Sequence, residues 1–503
     1  MSADTHEIKL YGDFPYSSLI SHKKCMSSVR RPQAGGEEKS ARWQAAIEAM
    51  GGPLYLRIVE LLAQEVREGR LSPGAPLPSQ RDMARQLGVN FTTVTRAYDE
   101  AKRIGLVQSR HGQGTFVAAE KGFARTVAEP APEEGVREPI DLTSTWPPNL
   151  EIASTLAAAV ARLTGDRSFD FLARRAGTVP ALDLAAGRDW LQPRFDLEVG
   201  GRLAMASGAR NALIGLLSSL VGTGGRLLVE AMCWPTMRTL ATVLGIELVP
   251  VALDAEGILP DALDAAAQAS QATVLYCVPT LQNPSGAVMG LRRRRALVEV
   301  ARRRGLTLVE DDAYGGLHRD PPPLLGTLAP ELTYSVFGLA KLISPSLRVA
   351  YVVAPDAEKA ERLAEILRAT MQTVPPLEAA LATHLIRHGQ MAKLIKQVRT
   401  EAQERQGLAR QLLGEHAAHV PDEALFFWLP LPVPWDASDF AMRLRRAGVV
   451  VAPAKVFSLD PASAPNAVRI ATGAVPSRED VTIALQRVRG LLAQNPSLLS
   501  VID

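Results

Sequence analysis

A chain of 503 residues with 47% hydrophobic side chains exceeds what one hydrophobic core supports, so two or three domains are expected. Because 56 Lys and Arg balance 53 Asp and Glu to a formal charge of +3, a nucleic-acid partner would need a local basic surface, and the overall charge neither requires nor excludes one. Three scattered cysteines exclude a disulfide framework and a metal-ligand spacing, and the lack of a signal segment or of about 18 consecutive apolar residues predicts a soluble, cytoplasmic protein with no membrane partner.

Residues 1–48 mix Ser, Lys, Gly and Pro without periodicity, which predicts a disordered extension. A first helix is predicted to begin at Pro53, where apolar residues start to recur at helical spacing. A second helix is predicted from the N-cap residue Ser79 to Gly88, and a third from Asn90 to Gly105. Two short strands around a glycine-rich turn then predict a β-hairpin, so residues 49–118 are interpreted as an α+β winged helix-turn-helix.

In a helix-turn-helix, the N-terminal end of the second helix enters the major groove, while the first helix and the wing contact the phosphate backbone. Hydroxyl and guanidinium groups at these places are able to bond phosphates and base edges. The predicted DNA contacts are Ser79, Arg81, Thr92, Thr93, Thr95, Arg96, His111 and Gly112. The apolar pattern alone would equally fit a small helical bundle that binds another protein.

The order of short motifs favours the DNA-binding interpretation. The motifs are Pro53-Leu54-Tyr55, Leu77-Pro78-Ser79-Gln80-Arg81, Arg96-Ala97-Tyr98 and Gly112-Gln113-Gly114-Thr115-Phe116-Val117. In this order they closely resemble the GntR-type winged helix, a resemblance that implies binding to double-stranded operator DNA. Phe91 stands where that family usually carries an arginine, so the base preference of the operator is expected to differ.

The second half of the chain has a different pattern. Residues 119–139 are rich in Glu, Pro, Ala and Gly, as expected of an exposed linker. Over about 177–355, within a domain predicted to span residues 140–495, short β-rich runs alternate with long helical segments, which predicts an α/β sheet with parallel crossovers. Long helices and two apolar runs over about 356–495 predict a smaller α+β subdomain.

Several polar residues follow the predicted strands, where α/β sheets place their ligands. Lys341 in a desolvated pocket would be nucleophilic enough to react with an aldehyde cofactor, although a lone lysine after a strand is most often a surface residue. Asp311 is suited to pair with a pyridinium nitrogen, and Tyr314 and Asn283 are suited to hydrogen-bond a ring oxygen. The other candidates would hold a phosphate or cover the ring face, and they are Gly208, Ala209, Arg210, Arg348 and Trp234.

These positions, in this order, resemble the fold type I aminotransferases of the class I/II group over roughly residues 140–490. The resemblance implies the fold of pyridoxal 5'-phosphate (PLP) dependent transferases, with Lys341 as the Schiff-base lysine. It also implies that Arg469 holds the α-carboxylate of a substrate or effector. Gly338 and Ala340 replace two serines that are common in the family, which predicts the loss of at least one hydroxyl contact to the cofactor phosphate.

The two modules together resemble the MocR subfamily of GntR-type regulators. The resemblance implies a transcriptional regulator, located at the nucleoid when bound to DNA, that senses PLP or its external aldimine with a small amine or amino acid. It also implies a head-to-tail homodimer, which would match two operator half-sites. Two alternatives stay open from the residues: an active aminotransferase with an accessory DNA-binding domain, and a sensor of PLP alone.

Overall fold

A computed structural model of the chain describes residues 34–50, 53–67, 70–72, 74–103, 106–110, 114–117, 138–148, 150, 152–165, 179–195, 198–417 and 421–494. The chain divides into two compact units, Met1–Glu134 and Gly135–Asp503. Within the described residues, no helix is long and apolar enough to cross a bilayer.

The first unit contains the predicted helix-turn-helix and wing. Its elements are α1 (Ala34–Ala49), α2 (Leu54–Arg67), α3 (Gln80–Leu87), α4 (Phe91–Arg103), β1 (Val107–Arg110) and β2 (Gly114–Val117). Helix α3 ends at Gly88, whose φ of 67° is the left-handed conformation that glycine adopts without strain. The two strands pair antiparallel, as predicted for the wing. The wing-turn residues His111 and Gly112 lie outside the described residues.

Helix α1 corrects the expectation that residues 1–48 are disordered. Trp43 and Ile47 are buried in the same core as Ile58 of α2 and Met83 of α3. The Gln44 side chain donates a 2.9 Å hydrogen bond to the carbonyl of Gln86 at the end of α3. The helix has only a few apolar residues, and they are buried by contacts with α2 and α3, which the local sequence does not reveal. Residues 1–33 lie outside the described residues.

The second unit is an α/β domain with a smaller antiparallel sheet. Its strands are β3 (Ile140–Asp141), β4 (Leu203–Ala206), β5 (Arg226–Glu230), β6 (Glu247–Val251), β7 (Leu253–Asp254), β8 (Gly257–Ile258), β9 (Val274–Cys277), β10 (Thr307–Asp311), β11 (Thr333–Gly338), β12 (Ala350–Val353), β13 (Phe426–Pro430), β14 (Val449–Val450), β15 (Ala452–Pro453) and β16 (Ala467–Ala471). Its helices are α5 (Ile152–Gly165), α6 (Ala181–Leu191), α7 (Ala209–Leu220), α8 (Thr236–Leu244), α9 (Pro260–Ser270), α10 (Leu291–Arg304), α11 (Leu325–Leu328), α12 (Ala357–Met371), α13 (Pro376–Arg387), α14 (Gln390–Leu413), α15 (Ala437–Arg446) and α16 (Arg478–Leu492).

The large sheet has seven strands in the order β4-β12-β11-β10-β9-β5-β6. Strand β12 runs antiparallel to its two neighbours, β11 and β4, and the other pairs are parallel. Strands β9, β10 and β11 are almost wholly buried, as their apolar runs predict for a sheet covered on both faces. Because these strands run parallel, their carboxyl ends meet at one edge of the sheet, where a ligand site is expected.

The small sheet is formed by β13, β16 and β15. Strand β3, at the start of the unit, pairs in parallel with β14 in a separate two-stranded sheet. The N–H of Ala471 on β16 donates a 2.8 Å hydrogen bond to the carbonyl of Leu142, which follows β3. The boundary predicted near residue 356 is too early. Ala360, Leu363 and Leu367 of α12 are buried in the core of the large sheet beside Leu213 of α7.

Candidate functional site

A cavity of about 300 Å³ lies at the carboxyl edge of the large sheet. All ten residues predicted for cofactor or carboxylate binding line it, namely Gly208, Ala209, Arg210, Trp234, Asn283, Asp311, Tyr314, Lys341, Arg348 and Arg469. They lie on or near the ends of different strands and at the start of α7, so the fold brings distant sequence positions together in one site.

The Lys341 side chain points into this cavity. Its Nζ atom donates hydrogen bonds to Thr145 Oγ1 (2.9 Å) and to the Thr145 carbonyl (3.1 Å), and it lies 3.6 Å from the centroid of the Trp146 ring. Burial lowers the pKa of the amine to about 7, and the positive charges of nearby arginines, Arg469 foremost, add to the shift. A large fraction of Lys341 is therefore neutral, and so nucleophilic, near neutral pH.

Asp311 lies at the end of β10 with its carboxylate buried. Its Oδ2 atom accepts a 2.8 Å hydrogen bond from the hydroxyl of Tyr276 on β9. Its Oδ1 atom is buried without a hydrogen-bond partner in the described part of the chain. Burial raises the pKa of this carboxyl to about 6. A buried acceptor in this state is stabilised by a positively charged N–H donor.

Tyr314 and Arg469 are linked through the segment that follows β3. The Tyr314 hydroxyl lies 2.9 Å from Thr145 Oγ1, and burial raises the pKa of this tyrosine to about 12. The buried Arg469 guanidinium donates to Asn283 Oδ1 (2.7 Å) and to the Thr143 carbonyl. Its Nε atom has no hydrogen-bond partner within the described residues, so one donor is available to an incoming anion.

The loop that carries Asn283 is held by a buried carboxylate. Glu230, at the end of β5, accepts hydrogen bonds from the Val278 N–H (3.1 Å) and from Gln282 Nε2 (3.0 Å). Gln282 Oε1 in turn accepts from the Ser285 hydroxyl at 2.6 Å. Burial raises the pKa of Glu230 to about 8. These bonds fix the loop between its two ends and place Asn283 beside Arg469.

The part of the cavity lined by Gly208, Ala209, Arg210 and Arg348 has the features of an anion site. Helix α7 begins at Ala209, so its first backbone N–H groups lie at the cavity, and the exposed Arg210 and Arg348 add positive charge. A Cβ atom added to Gly338 would lie only 3.2 Å from the Cβ of Ala209. The serine that the family often has at position 338 would therefore be crowded in this chain.

The sequence did not single out several side chains of the site, among them Thr145, Trp146 and Tyr276. Thr145 and Trp146 follow a strand of two residues, which is too short to give a periodic signal. Tyr276 lies inside the apolar run of β9, where an aromatic residue is ordinarily assigned to the core. The Thr143-Ser144-Thr145-Trp146 run, which combines three hydroxyls and an indole after a strand, was the available signal.

In the first unit, several predicted DNA contacts are also engaged within the domain. Ser79 caps α3 by accepting from the Asp82 N–H at 3.2 Å, and the Thr92 hydroxyl donates to Asn90 Oδ1 at 2.9 Å. The Thr95 hydroxyl donates to Gln80 Oε1 at 2.9 Å.

Three further predicted contacts lie on the same two helices. The Arg96 guanidinium lies 4.1 Å from the ring centroid of Tyr55. The Arg81 side chain on α3 is exposed, and Thr93 on α4 is half-buried.

Comparison with known proteins agrees with both units. Residues 183–488 match the family model of aminotransferase class I and II, and residues 54–117 match that of bacterial regulatory proteins of the gntR family. The HTH-type transcriptional regulator YdeF of Bacillus subtilis is 27% identical over 90% of this chain and 96% of its own length. The vitamin B6 salvage pathway transcriptional repressor PtsJ of Salmonella typhimurium is 29% identical over 81% of this chain and 91% of its own length.

Several aminotransferases are among the solved structures that are similar to this one. An archaeal alanine:glyoxylate aminotransferase superposes with a TM-score of 0.65 at 23% identity, covering 71% of this chain and 91% of its own. The α-aminoadipate aminotransferase LysN of Thermus thermophilus superposes with a TM-score of 0.64 at 23% identity, covering 72% and 93%. The predicted fold type I architecture is confirmed. The chain therefore belongs to the aminotransferase class I and II family and, through its gntR-type domain, to the MocR subfamily of GntR-type transcriptional regulators.

Proposed function

We propose that this chain is a transcriptional regulator that binds PLP in the cavity of its second unit and whose DNA affinity responds to PLP or to a small amine or amino acid. The observation that carries the proposal is that Lys341 and Asp311 line the same cavity. The first is an amine with a pKa near 7, and the second has a buried oxygen without a partner. A gntR-type domain on the same chain supplies the output.

The side chains around the cavity fit PLP part by part. The Asp311 carboxylate would accept a hydrogen bond from the protonated ring nitrogen. Tyr314 and Asn283 would hydrogen-bond the ring oxygen. Trp234 would pack against the ring. The start of α7, from Gly208 through Ala209 to Arg210, would hold the phosphate together with Arg348.

When bound, PLP supplies an electrophilic aldehyde carbon. Lys341 would be the protein's own amine for that carbon, and an effector amine would compete with it. Arg469 would hold a carboxylate of the effector through its unpartnered Nε–H, and the contacts of Arg469 with Asn283 and the Thr143 carbonyl would then change. Such a change alters DNA binding only if the effector binds two conformations with different affinity. We expect a homodimer, because two half-sites need two DNA-binding units.

Trapping of PLP on the protein tests the cofactor assignment. Purified protein is incubated with PLP, reduced with borohydride and mapped by mass spectrometry, with Lys341→Ala and Lys359→Ala compared. Lys359 is an exposed lysine paired with Asp356, so it is a matched control. We expect the label on Lys341 in the wild type and in Lys359→Ala, and its loss in Lys341→Ala. Equal labelling of Lys341→Ala would contradict the assignment.

An active aminotransferase has support from one observation, the presence of Lys341 and Arg469 in one cavity. Multiple-turnover transamination with amino acids and oxo acids distinguishes the two functions. Slow or absent turnover together with ligand-dependent DNA binding is expected of the regulator.

A further inference from the structure

The N-terminal end of helix α4 carries an exposed aromatic side chain. Phe91, the first residue of the helix, is 45% exposed, and the described residues of the first unit include only one other exposed large apolar side chain, Leu56 on α2. Val94, Ala97 and Tyr98 of the same helix are buried in the core, whereas Phe91 lies outside it. Packing within the domain therefore does not account for the ring, and burial against a partner would be favourable.

Three polar side chains near this end, those of Asn90, Thr92 and Thr95, make hydrogen bonds within the domain. Asn90 accepts from both the backbone N–H and the hydroxyl of Thr92, each at 2.9 Å. The hydroxyl of Thr95 donates to Gln80 on α3, one turn further along. Reading of bases by these hydroxyls would require their present bonds to break or to be shared. Phe91 needs no such change.

The position of the ring indicates what it contacts. In a helix-turn-helix this end of the second helix enters the major groove. The apolar feature of that groove is the C5-methyl group of thymine, which phenylalanine is able to contact, whereas an arginine at the same place would select guanine. Arg81 on α3 is exposed and would bind phosphate whatever the sequence.

We propose that Phe91 reads a thymine through its C5-methyl group in each operator half-site. The inference rests on the proposed function as a DNA-binding regulator. It assigns the base preference to an apolar contact at the position where an arginine is usual.

Selection from a duplex library tests this proposal. The full-length protein is used, with and without PLP, to enrich duplexes with a randomised central segment. In the enriched duplex each thymine is then replaced by deoxyuridine, which removes the methyl group alone. We expect one thymine per half-site whose replacement weakens binding about fourfold, the effect of one buried methyl group.

Three variants connect this effect to the side chain. Phe91→Ser should bind the thymine and deoxyuridine duplexes equally, and Phe91→Arg should enrich guanine at that position. Leu56→Ser, which changes an apolar residue of similar exposure on α2, should keep the wild-type preference. Because Phe91 lies outside the core, the thermal unfolding of its variants should match the wild type.

The outcomes separate the two proposals. Failure of the wild type to enrich any sequence contradicts the proposed function itself. Enrichment of a sequence without a deoxyuridine effect, or with an effect that persists in Phe91→Ser, contradicts the thymine contact and leaves DNA binding standing.

Discussion

The Lys341 amine lies among arginine side chains and one buried carboxylate, and these charges act on it in opposite directions. Arg469, Arg348 and Arg210 lower its pKa, while Asp311 raises it. Burial, the largest effect, also favours the neutral form. The amine that reacts with an aldehyde is the neutral one, so the pH at which it forms is a direct property of this site.

The pH dependence of PLP attachment follows from this pKa. Attachment should become faster as the pH rises through about 7, where Lys341 loses its proton. Arg469→Met removes a positive charge, which raises the Lys341 pKa and shifts the profile to higher pH. Stopped-flow absorbance of PLP binding measures it, and Arg362→Met, on the exposed side of α12, is the charge-matched control. An unchanged profile in Arg469→Met would refute this electrostatic role.

Thr145→Val should shift the same profile in the opposite direction. The substitution keeps the volume of the side chain and removes the oxygen that accepts from Lys341 Nζ. Because that bond stabilises the charged amine, its loss lowers the pKa and allows attachment at lower pH. The Tyr314 hydroxyl loses its Thr145 partner in the same variant. A shift of the profile to higher pH would contradict the role of the Thr145 hydroxyl in stabilising the charged amine.

The sequence motifs were sufficient to predict ten of the residues that line the cavity. Four of them could be grouped because each lies at or just after the end of a predicted strand: Asn283, Asp311, Tyr314 and Lys341. The place of Thr145 in the site could not be predicted, because it depends on the pairing of β3 with β14. That pairing joins Ile140 to Val449, more than 300 residues away along the chain. The hydropathy pattern of β9 does not distinguish Tyr276 from its apolar neighbours.

At the scale of elements, helix α1 is part of the DNA-binding unit. Its Trp43 side chain is fully buried, and its Arg42 pairs with the buried Glu65 of α2 at 2.9 Å. Burial and the pairing are consistent with a helix whose stability comes from tertiary contacts, as for most short helices.

Trp43→Ala tests this contribution. Loss of a fully buried indole should reduce the free energy of unfolding of the first unit by about 3–5 kcal/mol, through lost burial and the cavity left behind. Thermal or denaturant unfolding of the full chain measures it. Glu48→Ala, at an exposed position of the same helix, should change stability by less than about 0.5 kcal/mol. Equal unfolding of the two variants would mean that α1 does not stabilise the unit.

The alternation of short strands and long helices was sufficient to predict the large sheet, because parallel crossovers leave that pattern in the sequence. The same alternation was insufficient to assign α12 to the large sheet. A long helix has the same sequence pattern whether it covers a large sheet or belongs to a separate subdomain. The burial of Leu363 and Leu367 against α7 assigns α12 to the large sheet. The N-terminal helix was missed because its apolar face is short.

The molecule combines two units with different chemistry in one chain. One has the helix-turn-helix of the gntR family, and the other has the fold and the cavity of aminotransferases. An enzyme would need only the second unit. We therefore predict that the state of the Lys341 cavity changes DNA affinity, a thermodynamic coupling that has to be reciprocal.

The most direct test is the affinity of the full-length protein for a duplex enriched from the randomised library, measured by fluorescence anisotropy. The titration is done without PLP, with PLP, and with PLP plus a panel of amines and amino acids, for the wild type, Lys341→Ala and Lys359→Ala. We expect PLP, alone or with an amine, to change the DNA affinity of the wild type and of Lys359→Ala, and Lys341→Ala not to respond. An affinity that no addition changes, or an equal response of Lys341→Ala, would contradict it.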